Sequence, residues 1–391
     1  MNGFKRICAA VLGSVLFIAG VLKLMDPVGA QLIVQEYLKF FHLNFLGFAS
    51  GVLALLFAFF EAVLGAALIA GVWRRVVALI TLALLGIFTI VTAILWIANP
   101  VMDCGCFGEA IHLEHWQSFV KNIILLGLWA IAFLPLNKLD KPQKIKYVSF
   151  GIAAISVVLF ALFSLLSIPI VDFTDLKPGT ELYGAFDENF DDITAAVYVK
   201  DGREGAFTPD CPPDSTWTFV RNESYDRDIV DDNVPIQILS FCDAAGVYAD
   251  SLALKGPVMV ISSYNPDKLS PKRLESMGQF AGRASQTGCT VLFLVAGTPE
   301  TVDINEPSLA AGTYFADRIT LMTLNRSNGG VTYIADGHIT AKWSARALPD
   351  GEELGEILKK DPVEFMMSRS GKGKIRLQGF LLYTFAVMLL L

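Results

Sequence analysis

The first half of the chain alternates long apolar runs with short polar stretches. The runs cover residues 1–25, 45–72, 76–97, 116–136 and 147–170. Each has about 20 residues or more, which is enough to cross a hydrocarbon core of roughly 30 Å. We therefore predict a transmembrane bundle with a four-helix core plus a fifth span. A cleaved signal peptide is the alternative for the first run, and the absence of a small-x-small cleavage site disfavours it.

After residue 171 the apolar runs become short and β-branched. Residues 257–263 and 289–296 are typical of buried strands, and residues 271–288 between them predict a helix. Such a helix supplies the crossover that two parallel strands need. Asp336-Gly337 predicts a tight hairpin turn, and residues 350–360 predict a closing helix. This order is typical of an α/β thioredoxin-like domain.

The predicted organisation has five regions. Residues 1–136 form a transmembrane bundle, and residues 137–171 form a cytoplasmic loop and the fifth helix. A linker over 172–192 leads to a soluble domain over 193–362. The chain ends with an apolar tail over 375–391. The tail is shorter than a comfortable span, so three interpretations stay open. It is a short sixth span, an interfacial anchor, or a helix that is cut short.

Composition and charge narrow the class of protein. With 53% hydrophobic residues and a mean hydropathy of +0.51, the chain is too apolar for an ordinary soluble protein, so membrane lipids are its expected surroundings. The net charge of −7 leaves no basic footprint for nucleic acid.

The positions of the basic residues predict the orientation of the bundle. With five spans, all of the basic clusters fall on one side, which the positive-inside rule assigns to the cytoplasm. They are Lys5, Arg6, Arg74, Arg75, Lys138, Lys141, Lys144 and Lys146. In a bacterial inner membrane, the loop after residue 100 and everything after residue 171 would then be periplasmic.

The most informative stretch is the polar sequence Asp103-Cys104-Gly105-Cys106-Phe107-Gly108 between two spans. It has three interpretations: a reversible dithiol, a structural loop or fixed bridge, or half of a metal site completed by His112 and His115. A disulfide across Cys-x-Cys would close a small, strained ring, and strained bridges are the more oxidising ones. An oxidising periplasm also favours the redox interpretation. Asp103 is a candidate proton acceptor beside Cys104.

Three ionisable residues fall inside or at the end of predicted spans. Glu61 lies well within the second span, where an ionised carboxylate is costly unless it is paired or faces the bundle interior. Lys23 and Asp26 close the first span and could pair with each other or with Glu61. Glu61 either stabilises the bundle by a hydrogen bond or takes part in proton or quinone chemistry.

These motifs resemble those of the DoxX/MauE-type membrane proteins, in particular Bacteroidetes-type members with an extra C-terminal domain. The resemblance rests on Lys23-Leu24-Met25-Asp26-Pro27, Glu36-Tyr37, Glu61 followed by Gly65, and the Asp-Cys-Gly-Cys-Phe-Gly stretch. It covers roughly residues 4 to 136. It implies a four-helix membrane bundle similar in plan to the quinone-linked disulfide oxidases. The MauE branch is tied to methylamine utilisation, but nothing in this sequence indicates that pathway.

The soluble half resembles a thioredoxin without its reactive cysteines. Where thioredoxins carry Cys-x-x-Cys after the first core strand, this chain has Ser262-Ser263-Tyr264-Asn265. The loop before the hairpin, where thioredoxins hold a cis-proline, is Asn328-Gly329-Gly330. We therefore expect a redox-inactive domain that binds a partner.

The cysteines of the soluble half have different expected roles. Cys211 and Cys242 could form a structural bridge or exchange with Cys104 and Cys106. Cys289 opens a buried strand and is expected to be a core residue.

Taken together, the sequence predicts an inner-membrane thiol–disulfide or electron-transfer protein. Cys104 and Cys106 would be the exchanging pair, acting on a periplasmic protein client. No cofactor is certain; a quinone is the candidate acceptor, and no metal is expected. The alternative is a non-enzymatic scaffold or assembly factor with a structural Cys-Gly-Cys loop. A transporter lacks support because no internal repeat or broken-helix pair is found.

Overall fold

The computed structural model describes residues 3–100, 102, 104–136, 144–183, 195–200, 203–207, 217–223, 237–299, 309 and 312–390. The chain forms two compact units. The first contains Met1–Phe173 and Gly373–Leu391, and the second contains Thr174–Lys372.

The first unit is helical. Its helices are α1 (Gly3–Met25), α2 (Pro27–Phe40), α3 (Ser50–Ala70, preceded by the 3₁₀ segment Asn44–Ala49), α4 (Arg74–Ala98), α5 (His115–Phe133) and α6 (Lys144–Leu166). A short strand, β1 (Cys106–Glu109), lies between α4 and α5. Among the described residues, five helices are long and apolar enough to cross a membrane: α1, the Asn44–Ala70 segment, α4, α5 and α6. These helices coincide with the runs predicted from the sequence.

Helices α1 and α3 approach closely because small residues face each other. A Cβ added at Gly13 would lie 2.8 Å from the Gly65 carbonyl oxygen. A Cβ at Gly20 would overlap the Ala62 backbone, and one at Gly65 would overlap Phe17. Small residues at such a crossing let two backbones meet, as in other membrane helix pairs. The close crossing brings the end of α1 against the middle of α3.

The C-terminal helix also contributes to the first unit. The last helix of the chain, α10, covers Pro362–Leu390. Its first residues belong to the second unit, and its last 18 residues belong to the first. There Phe380 stacks on Phe160 of α6 with 4.6 Å between ring centroids, and Phe385 meets Phe17 of α1 edge-on at 5.4 Å. Ser149 of α6 donates a hydrogen bond to the Val387 carbonyl. The apolar tail therefore packs along α1 and α6; whether it spans a membrane stays a prediction.

The second unit contains a mixed five-stranded sheet in the order β11-β10-β7-β8-β9. The strands are β7 (Pro257–Ser263), β8 (Thr290–Ala296), β9 (Thr313–Ala316), β10 (Gly330–Ala335) and β11 (His338–Trp343). Helices α7 (Pro271–Gln286), α8 (Arg318–Leu324) and α9 (Gly351–Lys359) accompany it. Strands β7 and β8 are parallel and joined through α7, as predicted. The predicted hairpin is also present, with positive φ at both Asp336 and Gly337.

Other strands of the second unit were not predicted. Strand β9 pairs in parallel with β8 at the sheet edge, followed by α8. A separate sheet joins β3 (Ala195–Lys200), β4 (Arg203–Phe207) and β5 (Thr218–Glu223) in the order β4-β3-β5. A two-stranded sheet pairs β2 (Leu182–Tyr183) with β6 (Gln237–Ile238). These segments are short, so their periodicity is too weak to read from the sequence.

The predicted linker includes residues that pack against the sheet. Leu176 and Leu182 are buried. The backbone N–H of Gly179 donates to the Ile339 carbonyl, and that of Leu182 donates to the Gly337 carbonyl. Residues 174–183 are therefore part of the second unit, while 184–192 lie outside the described residues.

Candidate functional site

The loop after α4 turns sharply at two glycines. Gly105 and Gly108 have φ values of +59° and +63°. Residues with a Cβ adopt such values only at a cost in free energy. The Gly108 N–H donates to the Gly105 carbonyl oxygen at 3.2 Å. A Cβ at Gly105 would also overlap the side chain of Ile33 on α2. Glycine is therefore required here by both backbone conformation and space.

This turn brings two thiols together beneath α2. The Sγ atoms of Cys104 and Cys106 lie 3.3 Å apart and are not bonded. Cys104 is buried, whereas Cys106 is half-buried. The Tyr37 hydroxyl of α2 donates to the Cys104 carbonyl at 2.7 Å, and Cys106 Sγ lies 3.6 Å from Ser118 Oγ on α5. The loop is thus held from both sides, and its sulfurs need only a small movement to bond.

The two thiols differ in acidity because one stabilises the other. The hydrogen bond that Cys104 donates lowers the pKa of Cys106 well below its usual range. Burial opposes this shift, while the ammonium groups of Lys121 and Lys23 add to it. The same hydrogen bond raises the pKa of Cys104, as do burial and the charge of Cys106. The proton that the two sulfurs share is therefore favoured on Cys104, and negative charge is favoured on Cys106.

Lys121 shares the cavity wall with Cys106. It lies on α5, one turn after Ser118, and its charge lowers the pKa of Cys106. Its Nζ also lies 5.0 Å from the centroid of the Phe107 ring. A cation over an aromatic face is held electrostatically. The Phe107 ring, which follows Cys106 directly in the chain, therefore helps hold the ammonium group of Lys121 in place.

A buried ion pair lies on the α1 side of the same site. Lys23 Nζ is 2.6 Å from Glu61 Oε2, and the two side chains are 13% and 3% exposed. The close crossing of α1 and α3 produces this contact. The structure thus pairs Glu61 with Lys23, whereas Asp26 has another contact: its Oδ1 accepts from the Gly29 N–H and caps α2.

A cavity of about 250 Å³ opens beside the sulfurs. It lies within the first unit, between α1, α2, α3, α4 and α5, and its wall is mostly apolar. Its polar lining residues are Lys23, Tyr37, Glu61, Thr92, Lys121 and Asn122, together with Cys104 and Cys106. The predicted site residues Cys104, Cys106, Glu61 and Lys23 therefore share one cavity, which we call the dithiol cavity.

Other predicted residues fall outside this cluster. Asp103 and Cys211 lie outside the described residues, so the proton-acceptor role and the Cys211–Cys242 bridge stay predictions. Cys242 is buried in the second unit, with its sulfur 3.6 Å from the Phe315 carbonyl oxygen. His115 Nε2 lies 3.1 Å from the Pro100 carbonyl oxygen. Within the part of the chain that is described, no group of three or more His, Cys, Asp or Glu residues could hold a metal ion.

Sequence reasoning missed Lys121, Asn122 and Tyr37. Lys121 and Asn122 sit in an otherwise apolar helix, and polar residues in a span are a recognised signal of a functional site. Tyr37 belongs to the Glu36-Tyr37 motif, which by itself gives no indication of contact with the cysteine loop. The approach of these three residues to the cysteines depends on tertiary packing, which the sequence pattern does not contain.

Asn328 joins two loops of the second unit by hydrogen bonds, in the region where the sequence predicted the counterpart of a thioredoxin dithiol. Asn328 Oδ1 accepts from the Ser263 hydroxyl and the Asn265 N–H, both at 3.0 Å. Its Nδ2 donates to the Asn265 carbonyl at 2.8 Å. The loops after β7 and before β10 are therefore joined by one amide side chain.

Comparison with known proteins finds a family match within the first unit. Residues 1–135 match the family described as Methylamine utilisation protein MauE. Residues 194–225 match a domain of unknown function (DUF8463). No curated protein matches the chain. No solved structure matches it either. The predicted MauE-type membrane region is confirmed, while the Bacteroidetes type and the thioredoxin-like assignment stay predictions.

Proposed function

We propose that this membrane protein, whose residues 1–135 form a MauE family domain, carries out thiol–disulfide exchange through Cys104 and Cys106. The observation that carries the proposal is the sulfur pair itself. Its atoms lie 3.3 Å apart, on a turn that requires glycine, next to a lysine that stabilises a thiolate. A purely structural loop needs neither the cation nor the difference in acidity.

The exchange proceeds in two balanced steps. A partner thiolate attacks Cys104 of the Cys104–Cys106 disulfide, and Cys106 leaves as the thiolate. Cys106 is the better leaving group because leaving improves as a thiol pKa falls. The partner's second thiol then attacks the partner's own sulfur in the mixed disulfide and releases Cys104. The partner gains one disulfide, and the pair ends as one thiol and one thiolate.

The distribution of charge supports a periplasmic site in the inner membrane. Lys5 at the start of α1 donates to the Leu134 carbonyl at the end of α5. Trp73, just before the arginines that begin α4, meets Tyr147 near the start of α6 with 5.2 Å between ring centroids. The basic helix ends therefore gather at one end of the bundle. The cysteine loop lies at the other end, where Gly108 faces Lys23.

The second unit would serve as a partner-binding domain. Its sheet order, with a parallel β7–β8 pair and an antiparallel β10–β11 hairpin, supports a thioredoxin-like ancestry. Its counterpart of the reactive loop contains the Asn328 hydrogen bonds instead of a dithiol. Such a domain can hold a client while the membrane unit performs the exchange.

The test is capture of the mixed disulfide in intact cells. A Cys106→Ser chain keeps Cys104, which attacks the disulfide of an oxidised partner in the reverse of this exchange and displaces one partner thiol. With no second cysteine in the pair to release the partner, this chain should accumulate a covalent adduct with a periplasmic protein. The adduct is detected on non-reducing gels and identified by mass spectrometry. A matched Cys289→Ser chain, altered at a buried cysteine of the second unit, should give no adduct.

The opposite result would support the alternative function. Thiol mass-tagging that finds one unchanging redox state of Cys104 and Cys106, together with no trapped adduct, would instead support the scaffold with a fixed loop.

A further inference from the structure

The dithiol cavity contains a polar atom whose partner is missing from the described structure. Asn122 on α5 is fully buried, and its Nδ2 donates to Thr92 Oγ1 of α4 at 3.2 Å. Its Oδ1 is buried and has no hydrogen-bond partner among the described residues. A buried amide oxygen without a partner costs about 1–3 kcal/mol. The side chain lines the cavity, so a donor group on a bound molecule would satisfy it.

The rest of the cavity wall is mostly apolar, which favours binding of an apolar molecule that enters from the lipid. Phe57 on α3 and Ile87 on α4 line the cavity and are also 43% and 57% exposed. The cavity therefore reaches the apolar outer surface of two candidate spans. A water-soluble carrier with phosphate or sugar groups would find few partners there, because Lys23 is already paired with Glu61.

The chemistry of the cysteines sets a further requirement. Closing the disulfide releases two electrons, and the Cys104 thiol loses its proton. The acceptor must take up both electrons next to the sulfurs and also bind protons. A lipid-soluble quinone meets all of these conditions: it is flat and apolar, its oxygens accept hydrogen bonds, and its reduced form carries hydroxyl donors.

We infer that the dithiol cavity binds the ring of a lipid-soluble quinone, which faces Lys121 and Asn122 and oxidises the Cys104–Cys106 dithiol. This inference rests on the proposed function. In the reaction the Cys106 thiolate, the Cys104 thiol, the quinone and one further proton give a disulfide and a quinol. The S–S bond forms, the Cys104 S–H bond breaks, and both electrons and both protons end on the ring oxygens. One quinol hydroxyl then donates to Asn122 Oδ1.

The experiment uses the purified full chain in lipid nanodiscs, reduced and kept without oxygen. Decylubiquinone is the probe, and thiol mass-tagging follows oxidation of the pair. We expect saturable oxidation of the wild-type dithiol. Asn122→Leu should weaken inhibition by added decylubiquinol roughly three- to tenfold, which corresponds to loss of the one hydrogen bond that a quinol hydroxyl donates to Asn122 Oδ1.

A pair of matched variants separates the cavity from general effects on the helix. Val91→Trp adds bulk inside the cavity and should abolish saturation, whereas Ile90→Trp lies on the same helix at a 62% exposed position and should behave as wild type. Equal quinone oxidation in both variants, or no saturable oxidation in the wild type, overturns the inference. The latter result would mean that the cavity holds only water or a lipid chain.

A second assay on the same samples distinguishes failure of this inference from failure of the proposed function. Exchange between the dithiol and a peptide disulfide needs no quinone. A chain that exchanges with the peptide but ignores decylubiquinone refutes the quinone site alone. A chain that reacts with neither refutes both proposals.

Discussion

The two units of this protein differ in one loop each. In the membrane unit, a turn with two glycines holds Cys104 and Cys106 together in the wall of a cavity that Lys121 also lines. In the second unit, the loop that follows the first strand of the central sheet has no cysteine, and Asn328 closes it with hydrogen bonds. Under the proposed exchange, reactivity depends on a stabilised thiolate and on open space beside it. The fold of the C-terminal sheet by itself supplies neither.

The largest expected effect comes from removing either sulfur of the pair. Cys104→Ser or Cys106→Ser should abolish exchange with a peptide disulfide under turnover conditions, because a lone thiol cannot close the internal bridge. Cys289→Ser in the second unit should leave the exchange rate unchanged, since Cys289 is a buried core residue. Stopped-flow measurement of the exchange checks this contrast. Loss of activity in Cys289→Ser would instead assign a reactive role to the second unit.

A smaller but substantial effect is expected from Gly105→Ala. The φ of +59° costs a residue with a Cβ about 1–2 kcal/mol, and the added atom overlaps Ile33. We expect the exchange rate to fall at least about tenfold, which corresponds to roughly 1.4 kcal/mol. Gly86→Ala is the matched control, because no atom lies within 4 Å of a Cβ at that helical position. An unchanged rate in Gly105→Ala would show that the turn is not needed to place the sulfurs.

The role of Lys121 is tested by the pH dependence of alkylation. The lowered pKa of Cys106 means that its thiolate persists as the pH falls below the usual thiol value of about 8.5. Alkylation of Cys106 by iodoacetamide should therefore remain fast at pH 6 and decline only at lower pH. Lys121→Met removes the cation and raises the pKa of Cys106, so the pH at which its alkylation rate is half-maximal should move upward by about one pH unit.

Cys289 provides an internal control in the same sample. Burial raises its pKa, so its alkylation should stay slow at pH 6 in both chains. Mass spectrometry of the two peptides resolves the two rates. An identical pH profile for Cys106 alkylation in the wild type and in Lys121→Met would show that Lys121 does not lower the pKa of Cys106.

The smallest effect on exchange is expected in the second unit. Asn328→Ala removes the hydrogen bonds that join two loops, which should lower the stability of that unit by roughly 1–3 kcal/mol. The reaction of Cys104 and Cys106 with a small dithiol should not change. Ser285→Ala, at an exposed position of α7, is the control for stability. Differential scanning calorimetry and the exchange assay measure the two properties separately.

Much of this architecture could be predicted from the sequence because its signals are local. The candidate spans depend on length and hydropathy, and the bounds of β7 match the predicted 257–263. These features each involve neighbouring residues, so periodicity and turn chemistry suffice.

The remaining features depend on tertiary packing. The contact between Lys23 and Glu61 requires the crossing of α1 and α3 through Gly13, Gly20 and Gly65. Lys121 and Asn122 line the same cavity as the sulfurs only because α5 packs with that face turned toward the cavity. Neither the crossing nor this packing is encoded in a local pattern. The sequence therefore predicted the cysteine pair but not the residues that control it.

The most direct test of the central claim is a redox titration of the purified full chain. Thiol mass-tagging reads the state of Cys104 and Cys106 across a series of reduced and oxidised dithiothreitol ratios. The account predicts one reversible two-electron transition, with a tenfold change in ratio for about every 30 mV, that disappears in Cys106→Ser. A pair that stays entirely reduced or entirely bonded across the whole series would contradict it.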